Sequence, residues 1–343
     1  MTETTPGVGW SGHTWTARSF APPLWLTGAH GQTLAGKFLR RPPDAPVTRE
    51  RIDTWDGDFL DVDWMPEQDP ASPLVLVLHG LEGHTQRGYM VQTFTALADR
   101  GLRAVGLNFR GCSGAVNRAQ RFYHSGETED IAFVIDLFRE RFPTRPLMAI
   151  GYSLGGNILL KYLGERVSES PSPVSAAVAI SVPYDLSAGA KALERRGMAR
   201  VYSRYFLTSL LAKVRGKETM LTDVLNLNEV WASETIRDFD NAVTARLHGF
   251  VDAEDYYRKS SSNRFVASVG VPTLLIHAGD DPFLPVEALP VSEIEANPFL
   301  NLILTDGGGH VGFCEGGTPW NPSFWVEDQS ASFLAHHHRV TSA

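Results

Sequence analysis

Gly151-Tyr152-Ser153-Leu154-Gly155 sets a serine between two glycines, after the apolar run LMAI and before the helical pattern NILLKYL. This G-x-S-x-G spacing in a strand-turn-helix context is that of a nucleophile elbow. The serine occupies a strained turn, and glycines two before and two after it let strand and helix approach without Cβ clashes. Gly156 extends that clearance by one residue. The helix N-terminus beneath the serine offers free N–H groups where an oxyanion would form. A serine among glycines can simply turn a chain, and it becomes a nucleophile only with a base held by a carboxylate. Both occur downstream, acid first and histidine second. HAGDDPFLP (277–285) follows the apolar run TLLI and carries two adjacent aspartates. Asp281 is preferred as the acid; Asp280 is the alternative and otherwise shapes the turn. After LNLILTD, the loop Gly307-Gly308-Gly309-His310 delivers His310 as the base. His277 competes for that role, but its place within an apolar run suits a structural histidine.

An acyl-transfer site also needs two backbone donors for the oxyanion. Leu154, the residue after the serine, supplies one, and the N–H of Leu81 in the loop His79-Gly80-Leu81-Glu82-Gly83-His84 is the candidate for the other. The same loop could be read as a metal site, but it lacks the H-E-x-x-H helical spacing and its glycines argue for a turn. The loop NFRGCSG (108–114) has no dinucleotide fingerprint, and Cys112 reads as packing rather than as a nucleophile. Three histidines at 336–338 point different ways around a helix and read as a solvated end. No cofactor and no metal are expected.

The elements that must carry these residues follow from periodicity. RERIDTWDGDFLDVDW (49–64) alternates about Asp56-Gly57, as two antiparallel strands would. Short apolar runs then alternate with amphipathic helices: PLVLVLHG, RAVGLNF, PLMAIGYS, VSAAVAISV, TLLIHAG and LNLILTD are the strands. Doubly buried strands separated by helices mean a parallel sheet covered on both faces, here of about eight strands and mostly parallel. Between Val182 and Thr273 the strand signal stops, which implies an inserted helical cap. The expected division is an irregular, proline-rich N-terminal arm over 1–50, core over 51–183, cap over 184–271 and core again over 272–343. On the cap, Phe206, Leu207, Leu210, Leu211 and Val214 fall at helical spacing and could line an acyl pocket, touch lipid or simply form core.

The 343 residues, 43% of them hydrophobic, suffice for a real core, and the net charge of −8 opposes phosphate backbones, so nucleic acid is not an expected partner. Two cysteines are too few for a disulfide framework. The N-terminus MTETTPGVGW shows no leader pattern and no apolar run reaches membrane-span length, so a cytoplasmic protein with at most peripheral membrane contact is expected. Oligomeric state is not legible.

HGLEGH, NFRGCSG, YHSGETED, GYSLGGN, HAGDDPF and GGHVGF, in that order from about residue 20 to 335, resemble the YheT-like esterase and lipase branch of the α/β-hydrolase superfamily. FDNAVTARLHGFVDAEDYY (239–257) is similar to that branch's helical cap, while His84 departs from the small polar residue common there. The resemblance implies an α/β-hydrolase fold with a Ser-Asp-His triad, a cap, and hydrolysis of short- to medium-chain acyl esters or glycerolipids. Thioester, lactone or amide cleavage, or ligand binding without turnover, are the alternatives. Epoxide and haloalkane chemistry would need an aspartate at the elbow.

Overall fold

The computed structural model describes residues 15–40, 44–169 and 171–342. The N-terminal decapeptide and residues 41–43 of the proline-rich stretch lie outside them. β1 (Thr48–Asp53) and β2 (Phe59–Trp64) form an antiparallel hairpin, and β2 pairs antiparallel with β4 (Arg103–Asn108). β3 (Leu74–Leu78), β5 (Leu147–Tyr152), β6 (Ala177–Ile180), β7 (Thr273–Ala278) and β8 (Leu300–Thr305) continue a parallel array with β4. The eight strands lie in the order β1-β2-β4-β3-β5-β6-β7-β8. The chain leaves β3 for one neighbour and returns on its other side, so the carboxyl ends of β3 and β5 border the point where an open α/β sheet builds its site.

Alternation within the strands assigns the two faces. Leu76, Leu78, Leu107, Ala149 and Leu275 face one core layer, with helices α3 (Glu129–Arg141) and α4 (Leu154–Glu165). Val75, Val77, Ile150, Val178 and Ile276 face the other, with α2 (Gly88–Ala98) and the C-terminal helix Trp325–Thr341. Both faces being covered is why β3, β5, β6 and β7 are buried along their whole length and read as continuous apolar runs.

Between β6 and β7 the described chain is helical and irregular, beginning with α5 (Leu186–Leu193) and α6 (Met198–Gly216). This segment has a small core of its own, with Leu207, Val214, Leu221, Val230, Phe239 and Val243. Its polypeptide includes a π-helical turn at Asp240–Thr244, where Asp240 accepts from Tyr257 Oη (2.6 Å) and Thr244 Oγ1 (2.7 Å).

Two features differ from the sequence reading. The arm is not wholly irregular: α1 (Ala29–Phe38) lies between its proline-rich stretches, and β1 begins at Thr48. Its buried face is Gln32, Thr33 and Ala35, which leaves no apolar stripe to detect. After β8 the chain also forms a second hairpin, β9 (Cys314–Thr318) with β10 (Asn321–Phe324). Among the described residues, no helix is long and apolar enough to cross a membrane.

Candidate active site

Ser153 caps α4 at the end of β5 with φ 50° and ψ −118°, a left-handed conformation that costs energy for a side chain with a Cβ. The turn survives because the residues two before and two after the serine are glycine. A Cβ on Gly155 would lie 2.6 Å from His79 O, and one on Gly151 2.5 Å from Gly155 O. The hydroxyl is thereby presented away from the strand.

The structure brings Ser153, His310 and Asp281 together. His310 Nε2 is 2.9 Å from Ser153 Oγ, and His310 Nδ1 is 2.8 Å from Asp281 Oδ2. A carboxylate only accepts, so the Nδ1–H donates to Asp281 and Nε2 is left to accept the serine proton. Asp281 Oδ1 in turn accepts from the backbone N–H of Phe283 (2.8 Å) and Leu284 (3.2 Å), which fixes the carboxylate plane. Asp280 does not reach the histidine ring: its Oδ1 accepts the N–H of Gly309 at 2.8 Å and ties the two loops together, rather than shaping its own turn. His277 stays buried in β7, outside this relay, and burial holds its imidazole below its ordinary range.

Leu81 lies beside the elbow, since a Cβ on its neighbour Gly80 would sit 3.3 Å from Ser153 Cβ. Among the described residues the backbone N–H groups of Leu81 and Leu154 have no protein acceptor, as two oxyanion donors require. His79 is a buried prop, not a metal ligand. Its Nδ1–H donates to Gly80 O (2.7 Å) and its Nε2 accepts from the Phe109 N–H (3.2 Å), while burial drives its pKa down to about 3.

Several contributors carry no sequence signal. Thr33 on α1 accepts the His310 backbone N–H (2.9 Å), and the ring of Phe283 packs on the His310 ring at 4.5 Å. Tyr89 Oη accepts the Gly80 N–H at 3.0 Å. Ser181, itself at φ 49°, accepts the Val311 N–H (3.2 Å) just beyond the histidine. Glu82, at φ 56°, anchors the far end of the loop. Tyr123 Oη accepts the Glu82 N–H (2.8 Å) and donates back to Glu82 Oε1 (2.8 Å). Lys213 Nζ on α6 reaches the same Oε1 at 2.7 Å, and Ser209 donates to Oε2. Lys213 also donates to Cys112 Sγ (2.9 Å), a buried thiol whose pKa burial pushes up.

Ser153 and His310 open into a cavity of about 430 Å³, walled by Leu34 of α1, by Tyr202 and Phe206 of α6, and by Phe283. The apolar stripe on α6 is therefore divided. Phe206 faces the cavity, Leu207 and Val214 belong to the small core of the segment between β6 and β7, and Leu210 lines a smaller cavity of about 80 Å³ behind Leu81 and Leu154.

Ser153 in its tight turn after β5, Asp281 after β7 and His310 after β8 occur together with a family match, described as the alpha/beta hydrolase fold, over residues 73–317. The chain belongs to the α/β-hydrolase family. It is 39% identical over 319 residues to YheT of Escherichia coli (strain K12), with 92% of each chain covered. It is 33% identical over 305 residues to the phospholipase ABHD3 of Mus musculus, covering 87% of this chain and 74% of the relative. These likenesses put this α/β hydrolase in the YheT-like branch. In three dimensions the esterase Pf2001 of Pyrococcus furiosus superposes with a TM-score of 0.57 over 94% of this chain and 98% of its own, at 16% identity, a likeness of fold alone.

Proposed function

We propose that this hydrolase cleaves carboxylic esters of short to medium acyl chains, or glycerolipids, through an acyl-enzyme. Ser153 attacks the ester carbonyl as His310 Nε2 takes its proton, and the N–H groups of Leu81 and Leu154 receive the developing oxyanion. Asp281 keeps the imidazole in the required tautomer and offsets its charge once protonated. The imidazolium protonates the leaving alcohol, and water then repeats the attack on the acyl-serine. The observation that carries this reading is the continuous relay Ser153–His310–Asp281, at 2.9 and 2.8 Å, opening on an apolar cavity. The phospholipase name of the mouse relative supports a glycerolipid among the substrates. We read residues 184–271 as the cap and Phe206 as part of the wall for the apolar portion of the substrate. The free thiols Cys112 and Cys314 fit a reducing compartment such as the cytoplasm.

A series of p-nitrophenyl esters from acetate to palmitate, run beside Ser153→Ala, tests this reading. Turnover that peaks at one chain length and vanishes in the variant is expected. Turnover that survives in Ser153→Ala, or none with any ester, contradicts it.

A further inference from the structure

We propose that the rim of the site cavity built by α1 and α6 docks onto an anionic lipid surface, so that an ester enters the cavity from the interface. This rests on the ester-hydrolase reading above and adds the phase from which substrate is drawn. Phe38 of α1 and Val201 and Tyr205 of α6 line the cavity mouth, yet they are 56%, 57% and 42% exposed. Lys37 Nζ lies 3.3 Å from the centroid of the Tyr205 ring, joining the two helices across the rim. One position before each of the α6 pair stand Arg200 and Arg204, both exposed and also four residues apart, so a basic column runs beside the apolar one.

The stretch leading into and along α6 is basic against the trend of the chain. Residues 191–215 carry Lys191, Arg195, Arg196, Arg200, Arg204, Lys213 and Arg215 against the single carboxylate Glu194, in a protein of net charge −8. Glu194 is engaged by Arg237 at 3.0 Å and Lys213 by Glu82. Apolar and aromatic side chains bordered by cations are what a helix lying in a lipid interface presents. A second copy of the chain fits less well, because a two-fold contact would set this cationic rim against itself. A nucleic acid would supply phosphates but no apolar phase for Phe38, Val201 and Tyr205.

Co-sedimentation of the full chain with phosphatidylcholine vesicles and with equimolar phosphatidylcholine–phosphatidylglycerol vesicles tests the proposal. Retention on the anionic vesicles that weakens as salt rises is expected. At about fivefold per cation, the double variant Arg200→Gln/Arg204→Gln should bind them roughly 25-fold more weakly. Its turnover of water-soluble p-nitrophenyl butyrate should match the wild type, because neither arginine lines the cavity. No retention at low salt, equal retention of the double variant, or a stable dimer covering the rim in gel filtration would overturn the docking. Retention with the expected salt and variant dependence, but without turnover of the soluble ester, leaves docking supported and removes the hydrolase reading instead.

Discussion

Each nitrogen of His310 has one partner, and that division of labour rests on which aspartate meets Nδ1. Asp281→Asn would present an amide that can donate toward Nδ1 and so favour the wrong tautomer. The expected result is a fall in kcat of about 10³- to 10⁴-fold, with the fold and KM preserved. Asp280→Asn keeps an oxygen for the Gly309 N–H and should stay within about tenfold of wild type, since only a loop tie is touched. Steady-state kinetics on both variants separate the roles, and equal losses would contradict the assignment. From sequence, Asp281 is preferred as the acid with Asp280 left as the alternative. Both residues sit in one loop after β7, and which one turns toward His310 depends on the bonds from Phe283 and Leu284 to Asp281.

At the scale of elements, the elbow and the parallel strands were legible because steric and burial demands fall on residue type. Gly155 must be glycine where α4 crosses the end of β3, and β5 must be apolar on both faces. Gly155→Ala drives a Cβ into His79 O and Leu78 O, so it should destabilise the fold by about 3 kcal/mol and lower activity in the molecules that remain folded. Chemical denaturation of the variant measures the first effect. What stayed illegible has no such demand. α1 buries Gln32, Thr33 and Ala35, and β9 and β10 run through CEGGT and NPSF, so neither helical nor strand periodicity marks them. Thr33, one of the supports of His310, was hidden with α1. The clamp on Glu82 was hidden for a different reason: its partners Tyr123, Ser209 and Lys213 come from two distant segments. Because that clamp holds the residue after Leu81, Lys213→Met should lower kcat by about tenfold with KM little changed. That is less than the 10²- to 10³-fold loss of an oxyanion donor itself. A pure KM effect would place Lys213 in binding instead.

Across the whole molecule, the sheet layers and the helical segment between β6 and β7 meet at buried polar groups, and carboxyls buried near them couple titration to folding. Asn157 of α4 donates to Ser125 O (2.7 Å) and Ser260 O (2.8 Å), and Tyr256 Oη accepts the Ser125 N–H. Beside this junction Glu127 faces His124 Nε2 at 3.7 Å and Arg121 at 3.6 Å, with Glu129 and Asp130 adding negative charge. Burial first, and Asp130 second, raise Glu127 to about 7, and burial raises Asp240 in the π-helical turn to about 6. A raised carboxyl pKa gives stability that is fully present below the unfolded value, near 4.5 for Glu127, and is lost as pH rises through the folded one. Glu127→Gln should therefore remove up to about 3 kcal/mol of this decline between pH 4.5 and 7. Urea unfolding of wild type and variant at several pH values reads it directly, and parallel pH profiles would contradict it.

Ser153, activated through His310 and Asp281, stands as the proposed nucleophile. That role is tested most directly by treating the wild-type protein with a fluorophosphonate and locating the adduct by mass spectrometry of its peptides. One phosphonyl group per chain, on the peptide containing Ser153, absent from Ser153→Ala and much slower to form in His310→Ala, is the predicted result. An unlabelled Ser153, or labelling at equal rate without His310, would contradict it.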